Sequence, residues 1–170
     1  MAIILPVKGT LPKLPESCFI APNATIVGDV EVGENCSFWF NSVVRGDVNS
    51  IIMGDNVNIQ DGACVHCTFE KTKTIIGNNV SIGHHAIVHG CKIEDNVLIG
   101  MGAIVMDNAV IGCNSIIAAG AVVLEGTEVP PGCIFAGVPA KKVKDISQEL
   151  IEGEIQRIAQ NYIMYSSWFR

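Results

Sequence analysis

From Ile93 onward a bulky apolar residue returns at every sixth position: Ile99, Val105, Ile111, Ile117, Val123, Val129 and Phe135. Four positions after each unit's bulky residue stands a small or compact one, as in Val97, Ala103, Ala109, Ser115, Ala121, Thr127 and Cys133. The same rule governs Ile20, Ile26, Val32, Phe38 and Val44, resumes at Met53, Ile59 and Val65, and returns at Ile76, Ile82 and Val88. A period of six suits neither a helix, which needs 3.6, nor a long alternating strand. One large and one small inward residue per six describes a short strand and a corner. Three such units close a triangular coil of about 18 residues, and successive coils stack ~4.8 Å apart. About nineteen units predict about six coils. Gly28, Gly54, Gly77, Asn78, Gly100 and Gly112 fall at corners, where turns need backbone freedom. A conventional β-sandwich would not keep phase through eight consecutive units.

The chain is therefore predicted to be all-β, a parallel β-helix over residues 1–144. After Lys144 the rule stops. Asp145 can cap a helix, with Gln148 three residues on. Leu150, Ile151, Ile155, Ile158, Tyr162 and Ile163 then form a helical stripe. Residues 145–170 are expected as a C-terminal α-helix that packs along the prism or against a neighbour.

Composition narrows the partners. The chain is 49% hydrophobic and only 16% charged, with a formal net charge of −6, which argues against nucleic acid or an anionic membrane as the main partner. Small molecules and other protein chains remain. The seven cysteines are odd in number and scattered, and MAIILPVKGTLP lacks the basic region and cleavage site of a secretory signal. Reduced thiols in a cytoplasmic protein are expected. The apolar stretch from Ala109 to Leu124 contains Asn114 and Ser115 and is explained by the repeat, not by a bilayer.

The register turns sequence spacing into geometry. Val44, Val65 and Val88 are each three units apart, so Arg45, His66 and His89, which follow them, stack in one outward column. Phe38, Ile59 and Ile82 share another face; two positions on stand Phe40, Asp61 and His84, which places Asp61 one coil from His84, with Gln60 beside it. Outward side chains on adjacent faces of a prism diverge, so a neighbouring chain is expected to supply the missing ligand. Three-fold packing, a homotrimer, then yields equivalent sites with His66 and His89 from one chain and His84 from the next. Three neutral imidazoles with an open position suit a catalytic zinc or a similar divalent ion, iron or cobalt included. His85 reads as a solvated corner residue. Cys64 and Cys67 flank His66 and Cys91 follows His89 by two, which makes a mixed site the competitor, although this register is expected to turn Cys64 another way.

The runs RGD (Arg45 to Asp47), NIQD (Asn58 to Asp61), the lone His66 and IGHHAIVHGC (Ile82 to Cys91) resemble the γ-class carbonic anhydrases. The likeness extends through GMGA (Gly100 to Ala103) and AGVPAK (Ala136 to Lys141) to the last helix. The resemblance implies a left-handed coil and a trimer whose metal ligands His66, His84 and His89 meet across an interface. It further implies that Arg45 and Asp47 pair between subunits, that Gln60 and Asp61 position water, and that Tyr162 faces the site. The implied reaction is hydration of carbon dioxide to bicarbonate by metal-bound hydroxide. Two departures bear on turnover: an acidic residue expected after Asp47 is Val48, and the expected acidic loop after His66 is reduced to CTFEKTKT, where Glu70 sits beside Lys71 and Lys73. The same fold also carries acyl-CoA-using acyltransferases, and AGVPAK is a tail turn found among them. Thioester hydrolysis and a non-catalytic metal-binding scaffold are compatible with the same repeat.

Overall fold

The computed structural model describes residues 1–169 as a parallel β-helix closed by a helical segment. One face is an eight-stranded sheet running from Phe19–Ile20 to Cys133–Ala136 and ending on the antiparallel strand Lys141–Asp145. That leaves seven parallel rungs, one more than the repeat count predicts. A second sheet covers the other two faces, which the long strand Val43–Met53 joins by turning the corner between them. The strand Ile3–Leu5, outside the six-residue rule, adds a parallel rung on Thr25–Val27.

The inward slots hold what the period assigns to them. Ile26, Val44, Val65, Val88, Val105 and Val123 line one face with no exposed surface. Each such side chain contributes about 1.5–3 kcal/mol of burial, and the stack repeats this on every coil. One corner is built from asparagine: Asn56, Asn79 and Asn96 have φ of 54–59° and bond along the edge, Asn56 Nδ2 to Asn79 Oδ1 at 2.9 Å and Asn79 Nδ2 to Asn96 Oδ1 at 3.1 Å. Asparagine tolerates the left-handed conformation, and its amide serves as donor and acceptor in one ladder.

The helix starts later than the sequence suggests. Asp145 is taken up in strand pairing with Cys133, and Ser147 caps instead, its Oγ accepting from the Leu150 amide at 3.3 Å. A π-helical turn over Ile151–Gln156 contains Gly153, and an α-helix follows over Arg157–Ser167. Ile155 and Ala159 are buried and Tyr162 packs beside them on the chain's own prism. Tyr162 and Phe169 meet Trp39 edge-on, with centroids 5.2 and 5.8 Å away. Among the described residues no helix is long and apolar enough to cross a membrane.

None of the seven cysteines is in a disulfide. Burial pushes the Cys91 thiol up to about 12 and also raises Cys64 and Cys67. A raised thiol stabilises the fold fully below the ordinary value near 9 and loses that contribution as pH rises toward 12, because the unfolded chain ionises first. Melting temperature is therefore expected to fall steadily above about pH 9. Cys91→Ala should flatten that alkaline limb; an unchanged slope would assign the loss to other groups.

Candidate metal centre

Strand register builds the first half of the site. His66 is the direct strand partner of His89, and Val44 pairs with Val65, so Arg45 lies one coil before His66. The column expected from the sequence is present. Its side chains form a continuous line: Arg45 Nη1 to Asp47 Oδ2 at 2.5 Å, Asp47 Oδ1 to His66 Nε2 at 2.9 Å, His66 Nδ1 to His89 Nε2 at 3.1 Å, and His89 Nδ1 to Asp107 Oδ1 at 2.5 Å. Within one chain Arg45 pairs with its own Asp47. The two are two residues apart on the same strand and so share its outward face.

Burial and charge compete at both carboxylates. Burial alone would raise Asp47, but hydrogen bonds from His66 and Arg45 outweigh it and hold the group below the usual carboxylate range. At Asp107 burial again raises, and hydrogen bonds from Thr68 and His89 prevail, so it too is lowered. Both are ionised near neutrality and complete a strongly polar line along this face.

The second half lies on the neighbouring sheet. Ile59 pairs with Ile82, and this register brings Asp61 Oδ2 to 3.0 Å from His84 Nδ1, as the sequence column requires. Tyr162 reaches back from the terminal helix, its hydroxyl 3.3 Å from His84 Nε2. Burial, then the charge of Asp61, pushes Tyr162 up to about 12, so it stays protonated while sharing this hydrogen bond with His84. Gln60 is buried next to this group and donates to Asn58 Oδ1 at 3.0 Å. A cleft of about 450 Å³ opens beside His84, between Leu98, Met101 and Ile116 of the coil and Arg157 of the helix.

Among the described residues no three His, Cys, Asp or Glu side chains of one chain are placed to hold a single ion. His66 and His89 stand on one sheet and the strand leading to His84 on the other. Cys64 needs correction: it lies on the same outward side of its strand as His66, because strand neighbours two apart share a face. Its thiol is held neutral by burial, which makes it a poor ligand. His85 is exposed at a corner with φ 57°. Glu70 is exposed at another left-handed corner, and Val48 packs partly buried against the core. Asp107 is the site residue that the motifs miss. The pairing of Val88 with Val105 stacks Met106 on His89, so Asp107, one residue further on, is not the position that the repeat alone points to.

Comparison with known proteins supplies the class. The family profile "Bacterial transferase hexapeptide (six repeats)" matches residues 12–46, 73–107 and 90–125. The carbonic anhydrase of Geobacillus kaustophilus is 40% identical over 168 residues, 99% of this chain and 91% of that protein. Gamma carbonic anhydrase 2 of Arabidopsis thaliana mitochondria is 40% identical over 157 residues, 89% of this chain. This chain spans only 56% of that relative's length. A crystal structure from Bacillus cereus, described as a candidate acetyltransferase, superposes with TM-score 0.95 at 40% identity and covers 99% of this chain and 96% of its own. The protein is thus a hexapeptide-repeat β-helix. Within that class it belongs to the γ-class carbonic anhydrase-like family.

Proposed function

We propose that the chain forms a homotrimer that binds a divalent metal ion, zinc or alternatively iron or cobalt, between subunits and hydrates carbon dioxide to bicarbonate there. One observation carries the reading: His66 and His89 hold ring nitrogens 3.1 Å apart. Two nitrogens, each about 2.0–2.1 Å from one tetrahedral ion, stand about 3.3 Å apart, so this pair already has nearly the spacing of two ligands to a single ion. His84 of a neighbour is the third. Each histidine keeps a carboxylate on one ring nitrogen, Asp47, Asp107 or Asp61, the usual outer support of a metal-ligating imidazole.

When bound, the ion supplies Lewis acidity that makes hydroxide available near neutral pH, an effect for which carbonic anhydrases are themselves the standard example. The chain's own residues do the rest. Gln60 and Asp61 flank His84 and offer a hydrogen-bonding amide and carboxylate to the attacking water and to the product bicarbonate. Arg45 fixes Asp47, and Asp47 fixes His66, so the basic group serves orientation. Tyr162 closes the helix side of the site. Disulfide-free cysteines fit a reducing compartment such as the cytoplasm.

The test is metal analysis of anaerobically purified protein, then stopped-flow hydration on the same sample with zinc, cobalt or iron. About one ion per chain, together with hydration lost on chelation and restored by metal, is the expected result. A fully metal-free, trimeric protein would overturn the reading. The Bacillus cereus structure favours a second reading, acyl transfer from acyl-CoA, with the cleft beside His84 as the acyl site. That chemistry needs no metal, so acylation by metal-free protein would select it.

A further inference from the structure

Asp107 lies outside every motif that carries the family resemblance, yet it makes one of the closest contacts in the site. Its Oδ1 stands 2.5 Å from His89 Nδ1, and its Oδ2 accepts from the Thr68 hydroxyl. The carboxylate is therefore gripped at both oxygens. Thr68 belongs to the short loop after His66, and that loop is itself tied down. The Thr68 amide donates to Thr72 Oγ1 at 2.9 Å, and Thr74 Oγ1 donates to the His66 carbonyl at 2.5 Å. Gly90, directly after His89, has φ 57°. A Cβ there would collide with Asp107 Oδ1 and Thr72 Oγ1. The chain thus leaves out a side chain where the carboxylate enters beneath the ring.

We propose that Asp107 is a positioning residue that fixes the tautomer and orientation of His89, keeping its proton on Nδ1 and its Nε2 unprotonated toward His66. An imidazole whose Nδ1–H is bound to a carboxylate presents Nε2 as a lone pair, the form that binds a metal. The shortened loop after His66 then has a task of its own: through Thr68 it braces the group that aims the second ligand. The metal consequence rests on the shared-site reading above; the tautomer consequence does not.

The experiment has two readouts on the full-length protein: the His89 tautomer by long-range ¹H–¹⁵N correlation in metal-free protein, and Zn²⁺ affinity by chelator competition. Wild type should show the Nδ1–H form. Asp107→Ala should move His89 toward Nε2–H and weaken Zn²⁺ binding by about 10–100-fold. Asp107→Asn keeps an acceptor oxygen, so it should retain the tautomer and restore most of the affinity. Thr68→Val removes only the brace and should give an intermediate loss, which keeps the idea testable if Asp107→Ala fails to fold. A wild-type tautomer in both Asp107→Ala and Thr68→Val, or in Thr68→Val alone if only that variant folds, overturns the proposal. If wild type takes up no Zn²⁺, the shared-site reading fails while the tautomer still decides the role of Asp107.

Discussion

His84→Ala should strip the metal from every site while the β-helix persists. His84 is part-exposed and contributes nothing to the inward stack, where Ile82 and Ala86 on either side are fully buried. Its bonds are to Asp61 and Tyr162, so removing it costs the fold little. In the proposed shared site it is the one ligand that a neighbour supplies, and two imidazoles alone make a poor zinc site. The expected outcome is a loss of bound metal of roughly a hundredfold or more in affinity, with an unchanged circular dichroism spectrum. Full occupancy in the variant would remove His84 from the ligand set.

Gly28→Ala is the expected severe structural lesion. Gly28 has φ 79°, and it is the strand partner of Gly46. A Cβ there would collide with the Gly46 carbonyl oxygen and lie 2.7 Å from its carbon, and that backbone has no room to yield because a Cβ on Gly46 would in turn meet Asp29. Positive φ and a backbone clash together should cost about 3 kcal/mol, or a fall in melting temperature of roughly 6–12 °C for a domain of this size. The damage reaches the site, because Gly46 carries Arg45 on one side and Asp47 on the other. A change under about 2 °C by calorimetry would show that the close approach is soft.

The histidine column is legible in the sequence because inward and outward slots alternate on a short strand. Once Val44, Val65 and Val88 are placed inward, Arg45, His66 and His89 must stack outward, and the pairings bear this out. Asp61 and His84 follow by the same logic. What the period does not encode is reach across a corner. Asp107 meets His89 because Gly90 leaves space and Thr68 swings in from a loop, and neither follows from counting by six. The helix start is hidden for a related reason. Asp145 is a good cap by type, but strand pairing with Cys133 claims its backbone and leaves Ser147 to cap. The orientation of Cys64 escapes the large–small rule because that rule describes inward slots and says little of the residue between them.

Each metal site is shared in this account, with His66 and His89 from one chain and His84 from the next. The most direct test is complementation between two inactive variants. A chain with His84→Ala and a chain with both His66→Ala and His89→Ala each lack a complete ligand set, and neither homotrimer should hold metal. Unfolded together and refolded as a mixture, every mixed trimer contains one interface where an intact His66/His89 pair meets an intact His84. Metal analysis should then find about one ion per mixed trimer, with hydration activity returning in proportion. Mixed trimers that remain free of metal would contradict the shared site.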